Sequence, residues 1–130
     1  MDEFRVKNVG DVIIVNTELI VANYRDAKPF GDYLDFNSVL DFDKIIIDVS
    51  SCHFIDSAFI GMIVKKFREV SQKNGELKLV LPQREGIESM KYLGITKIVE
   101  CYSTLREALD GFDSTYPFRD NTLNKNVSLN

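Results

Sequence analysis

His53, Asp56 and Ser57 place an imidazole, a carboxylate and a hydroxyl within one short segment, His53-Phe-Ile-Asp-Ser57. Those are the residue types of a base, its orienting acid and a nucleophile, so serine hydrolysis is the first chemistry to weigh. A triad needs three groups converging on one point from different directions, and neighbours in a single segment do not supply that. Nor is there a G-x-S-x-G elbow around Ser57 or a candidate oxyanion loop. Asp48 suggests a second chemistry, a phosphoaccepting aspartate at the end of a buried strand, as in response-regulator receivers. Such a site wants Mg²⁺ and further carboxylates at a neighbouring strand end, whereas the preceding strand ends Val15-Asn16-Thr17 with only Glu18 after it. Cys52 and His53 lack the spaced partners of a zinc site, and Cys52 with Cys101 makes no disulfide framework. No catalysis, metal or cofactor is expected.

The third chemistry is modification of Ser57 itself. A phosphoserine carries about −1.5 to −2 charges, and at a helix N-terminus the dipole favours that charge by ~0.3–1 kcal/mol. Asp56 opposes it, so the two local terms nearly cancel and the fold should change little. Across an interface, unmatched or acidic partner groups would make the same phosphate cost several kcal/mol. Asp and Ser before an apolar helical run are also ordinary N-caps, and a capping role for Ser57 stands beside the switch.

The elements that hold this segment follow from pattern. Lys44-Ile-Ile-Ile-Asp48-Val49 reads as a central strand buried on both faces. Ser57 to Asn74 has helical apolar spacing, with Ile60, Ile63, Val64, Phe67 and Val70 on one stripe and Gly75 as the stop. Ala58, Met62, Lys65 and Glu69 lie opposite, with Gly61 alongside; Lys65 and Glu69 can pair at i,i+4 for ~0.2–0.5 kcal/mol. Upstream, Phe4–Asn8 and Asp11–Thr17 are strand candidates joined by turn residues, which predicts an antiparallel hairpin. Asn23 and Asp26 suggest a capped helix, but Pro29 and Gly31 interrupt it, so a start near Pro29 is the alternative expectation, with Phe30, Leu34 and Val39 toward the sheet. Downstream come a strand at Glu76–Leu81 ended by Pro82, a short helix from Arg84 to Leu93, a strand at Thr96–Glu100 and a last helix. That helix opens on the T-x-x-E box Thr104–Glu107 and ends near Gly111.

The whole chain has 130 residues, 45% hydrophobic and 28% charged, with a net charge of −4. That is enough for one domain with a core, and it leaves no basic footprint for nucleic acid or anionic membrane. No apolar run spans a bilayer, and Met1-Asp-Glu-Phe-Arg5 has no signal pattern, so a cytoplasmic protein is expected. From Asp113 to Asn130 the chain turns polar and is expected to be a flexible tail, with Tyr116-Pro-Phe118 as a segment that could dock.

Ile45-Ile-Ile-Asp48-Val-Ser50 followed by Phe54-Ile-Asp56-Ser57-Ala58 resembles the signature of the STAS domain, the fold of bacterial anti-sigma-factor antagonists. The resemblance runs in register through Gly75, Leu93-Gly94-Ile95, Ile98 and Thr104…Glu107-Ala108-Leu109, roughly residues 4 to 111. It implies an α/β fold: one STAS-type domain over residues 1–112, a mixed, mostly parallel sheet of 4–5 strands with about 4 helices and an N-terminal β-hairpin, then the tail 113–130. It also implies an anti-sigma-factor antagonist that binds an anti-sigma factor, itself a serine kinase, while Ser57 is unphosphorylated; a phosphatase resets the switch. The partner surface implied is Asp56, Ala58, Gly61, Met62 and Lys65. The alternative is a STAS adaptor or scaffold subunit, in a signalling complex or beside a lipid-transport ATPase, in which Ser57 is only a cap. The chain departs from the family in having Phe59 where a glycine is frequent, and Thr17-Glu18-Leu19-Ile20 where Gly-Glu-Leu-Asp is common. Oligomeric state is not legible from the sequence.

Overall fold

The computed structural model describes residues 3–82 and 94–112. The chain runs β1 (Phe4–Val9), β2 (Val12–Thr17), β3 (Val21–Ala22), α1 (Tyr24–Phe36), β4 (Lys44–Asp48), β5 (Phe54–Ile55), α2 (Ser57–Gln72), β6 (Glu76–Val80), β7 (Glu100–Tyr102) and α3 (Leu105–Asp110). Short 3-10 turns lie at Val39–Asp41 and Ile95–Lys97. Five strands form one sheet in the order β1-β2-β4-β6-β7, antiparallel at β1–β2 and parallel elsewhere. The hairpin closes through Gly10 and Asp11, since Val9 pairs with Val12, and Gly10 takes the left-handed φ of 59° that the first place of such a turn requires.

Strand β4 lies in the middle of the sheet, and Ile45, Ile46 and Ile47 are all buried because both faces are covered. Ile45 and Ile47, with Ile13, Val15, Leu77 and Leu79, meet α1 and α2 through Phe30, Leu34, Phe59, Ile60 and Ile63. Ile46 belongs to the opposite face with Val12, Ile14 and Val80, packed with Ala108 and Phe112. Lys78 is also buried on that face; its ammonium pairs with Glu100 and lies 4.6 Å from the centroid of the Phe112 ring.

Several sequence expectations are corrected. Helix α1 begins at Tyr24, not near Pro29, because the full Asn23–Asp26 capping box forms; Pro29 sits inside the helix at an exposed position, where its missing N–H is tolerated. Thr96–Glu100 is not a strand: Val99 N–H returns to the Ile95 carbonyl at 3.0 Å, both side chains are buried, and β7 starts at Glu100. The pair β3 and β5 forms a separate two-stranded parallel ribbon too short for any periodicity to reveal. Glu69 approaches Lys66 at 3.8 Å rather than pairing with Lys65. In the last helix Thr104 Oγ1 caps Glu107 as expected, but Glu107 reaches the Ser103 amide, one residue before the cap. At the end of α2 it is Asn74 that takes a left-handed φ of 67°; Gly75 is required because a Cβ there would lie 2.8 Å from Val70. The helix expected at Arg84–Leu93 and the tail from Asp113 lie outside the described residues.

Phe59, expected only as a departure from the family pattern, is fully buried and stacks on Phe30 with ring centroids 5.5 Å apart. Replacing it by alanine removes that stack beneath the start of α2. Phe59→Ala should lower unfolding free energy by ~3–5 kcal/mol, read as a drop in the urea midpoint with little change in slope.

Candidate functional site

The segment after β4 is built almost entirely by backbone hydrogen bonds. Asp48 Oδ1 accepts the Ser50 N–H at 2.9 Å, and the Val49 carbonyl accepts the Cys52 N–H at 3.0 Å, which folds the polar loop back on the strand end. The Ile20 carbonyl then accepts the N–H of His53 at 2.7 Å and of Phe54 at 3.3 Å, and the Asp56 N–H donates to the Ala22 carbonyl at 3.0 Å. These bonds pin the loop to the chain between β2 and α1 and deliver Asp56 to a fixed place.

Asp56 is the N-cap of α2: its Oδ1 accepts the Phe59 N–H at 2.9 Å. Its other oxygen, Oδ2, accepts the Tyr24 N–H, also at 2.9 Å, so the same carboxylate satisfies the first amide of α1. Helix N-termini carry partial positive charge, and here one anion serves two of them. Ser57 is therefore the first helical residue, not the cap. It is exposed, and among the described residues its hydroxyl has no hydrogen-bond partner. The sequence expectation of a carboxylate and a hydroxyl at the mouth of a helix is met, with the labour divided: the acid caps and the hydroxyl is free.

That geometry bears on the other chemistries. With both oxygens of Asp56 held by backbone amides, the carboxylate does not orient His53, whose side chain is exposed. Asp48 closes its turn with Ser50. Burial, followed by the nearby charges of Asp48 and Asp26, pushes the Cys52 thiol up to about 12, and burial beside Glu100 does the same to Cys101, so neither is a thiolate at neutral pH.

Behind Ser57, helices α1 and α2 border an open groove of about 510 Å³. Ala58, Gly61, Met62 and Lys65 line it, so four of the expected partner-facing residues come together, while Asp56 sits at its head as the clamp. Met62 is half-buried rather than fully outward, because it packs over Gly31, where a Cβ would lie 3.5 Å from its Cγ. Sequence reasoning missed Tyr24, whose role depends on a contact across the fold, and Lys66, whose buried stem carries its ammonium to both oxygens of Asp35 at 3.1 Å.

Residues 6–108 match the family described as the STAS domain. The chain is 32% identical over 111 residues to a Thermotoga neapolitana protein provisionally named an anti-sigma factor antagonist, covering 82% of this chain and 95% of that one. It is similar to the crystal structure of a Thermotoga maritima protein of the same provisional name, with TM-score 0.73 and 28% identity over 83% of this chain and 92% of that one. It shares its fold with the Bacillus cell fate determinant SpoIIAA in its phosphorylated form, with TM-score 0.61 and 16% identity over 85% of this chain and 99% of that one. No helix of the described residues is long and apolar enough to cross a membrane.

Cap and hydroxyl can be separated by mutation. Asp56→Ala uncaps α2 and orphans the Tyr24 amide, and should cost ~1–3 kcal/mol; Ser57→Ala should stay within ~0.5 kcal/mol of wild type. Equal losses in chemical denaturation would mean that Ser57 shares the capping.

Proposed function

The chain belongs to the STAS domain family, and from that premise we propose that it is an anti-sigma-factor antagonist switched by phosphorylation of Ser57. It has no catalysis of its own. Unphosphorylated, it binds an anti-sigma factor that is also a serine kinase and so frees the sigma factor; the kinase releases it by modifying Ser57, and a phosphatase reverses the step. It acts in the cytoplasm, through a surface made of Asp56, Ala58, Gly61, Met62 and Lys65.

The observation that carries this reading is the uncommitted hydroxyl of Ser57 beside a cap supplied by Asp56. A phosphate added there disrupts no hydrogen bond among the described residues, so the domain keeps its fold while its surface changes. Within the domain, the α2 dipole favours the new charge by ~0.3–1 kcal/mol and Asp56 opposes it. Against a docked partner the balance differs: a dianion pressed onto groups that do not match it costs several kcal/mol. At about 1.4 kcal/mol per tenfold, that suffices to release the complex. The adaptor alternative, with Ser57 serving only as a cap, loses support because Asp56 occupies that role.

Incubation with the cognate anti-sigma serine kinase and ATP should place one phosphate on Ser57, mapped by mass spectrometry, and none on Ser57→Ala. Ser57→Asp should melt like wild type yet bind that kinase roughly 30-fold more weakly, about 2 kcal/mol. Phosphate elsewhere, or none, or undiminished binding by Ser57→Asp, would overturn the switch.

A further inference from the structure

The five-stranded sheet ends on one side in β1, a strand of six residues, and on the other in β7, which has three. No described strand covers the outer edge of β1. Which backbone groups that edge presents follows from the hairpin. Val9 and Val12 close a two-residue loop as a hydrogen-bonded pair. Such pairs alternate along an antiparallel ladder, so Lys7 with Ile14 and Arg5 with Asn16 are the next two. The Glu18 N–H donates to the Glu3 carbonyl at 2.8 Å, which continues the same alternation. Phe4, Val6 and Asn8 therefore aim their N–H and C=O groups away from β2, at ladder spacing and with no strand to receive them. The side chains alternate as well. Phe4 and Val6 are half-buried against the core that α1 covers, where the Phe4 ring lies 5.3 Å from that of Tyr33. Arg5 and Lys7 are exposed on the other face, across from Asn16 and Ile14. Arg5 pairs with Glu18 at 3.3 Å, whereas Lys7 meets no carboxylate among the described residues.

We propose that the outer edge of β1 docks an extended segment of a partner protein whose residues alternate apolar and acidic, added to the sheet as one more strand. The inference is independent of the Ser57 reading. In strand addition the main-chain bonds supply affinity and the alternate side chains supply specificity. Here the three outward pairs of backbone groups at Phe4, Val6 and Asn8 supply the first. The second comes from two unlike faces: every other side chain of the incoming strand meets the apolar bank of Phe4, Val6 and Tyr33, and those between meet Arg5 and Lys7. Charge also decides against a second copy of this chain. Opposed residues in a sheet share a face, so antiparallel pairing of two β1 edges sets Arg5 against Lys7, or either residue against its own copy. Each of those alignments opposes like charges and is destabilised. Cations on an edge strand are a recognised guard against such self-pairing, and the same cations are complementary to an acidic strand.

The test titrates the whole isotope-labelled chain with a short peptide alternating valine and glutamate, followed by NMR. The Phe4, Val6 and Asn8 amides should shift and gain protection from exchange, while those of Arg5, Lys7 and Val9, already bonded to β2, keep theirs. A peptide alternating valine and lysine should bind roughly tenfold more weakly. Val6→Pro removes the central outward N–H without breaking a bond to β2, is tolerated on an edge strand, and should abolish binding. Lys7→Glu leaves the backbone intact and serves if the proline variant does not fold: it should weaken the glutamate peptide and strengthen the lysine peptide, each roughly 3- to 10-fold. The proposal is overturned if millimolar glutamate peptide leaves the three alternate amides unprotected, or if the two peptides bind equally. It is also overturned if sedimentation shows a wild-type dimer that Val6→Pro separates, since the edge would then belong to a second copy.

Discussion

One carboxylate, that of Asp56, ties together the amino ends of two helices that are far apart in sequence, accepting the Tyr24 amide and the Phe59 amide at 2.9 Å each. The arrangement answers a specific electrostatic problem. Two helix N-termini brought side by side set partial positive charges near one another, and their first amides lack intrahelical acceptors. A single anion between them relieves both. Because Asp56 caps α2, with the Asn23–Asp26 box sharing the work at α1, Ser57 is spared that duty, and among the described residues its hydroxyl has no hydrogen-bond partner.

The two helices also pack along their length. Gly31 on α1 faces Met62 and Lys66 of α2, where a Cβ would sit in ordinary contact at 3.4–3.5 Å from their side-chain carbons. Beneath, Phe30 stacks on Phe59 and receives the edge of Phe4 at 4.9 Å, joining α1, α2 and the hairpin in one aromatic cluster. Further along, Lys66 crosses from α2 to Asp35 on α1. Lys66 is buried but Asp35 is exposed, so the pair serves mainly to give the buried ammonium a partner across the helix–helix seam, where desolvation of Lys66 offsets part of the Coulombic gain. Packing, clamp and ion pair thus hold α1 and α2 at successive levels from their amino ends onward.

Much of this was legible in the sequence where local rules suffice. The triple isoleucine of β4, the stripe of α2, the hairpin turn at Gly10 and the Asn23–Asp26 box all depend on periodicity or on residues within four positions of one another. What was not legible depends on distance. Nothing near Tyr24 marks its amide as the partner of a carboxylate 32 residues away. Pro29 and Gly31 look like helix breakers locally, but capping from one side and close packing from the other override that preference. The β3–β5 ribbon has only two residues per strand, so it carries no period, and its pairing joins segments far apart in the chain. The strand–loop–helix junction around Asp56 and Ser57 follows local pattern, but the choice between Ser57 as cap and Ser57 as free hydroxyl turns on which of two adjacent side chains meets the amides.

Amide hydrogen exchange, resolved by residue, tests the clamp most directly. If Asp56 binds both helices, the Tyr24 and Phe59 amides are protected in the native protein, although both stand in first turns where exchange is normally fast, and both lose protection together in Asp56→Ala while the β4 amides keep theirs. A Tyr24 amide that exchanges freely in the wild type, or one whose protection survives that substitution, would contradict the account.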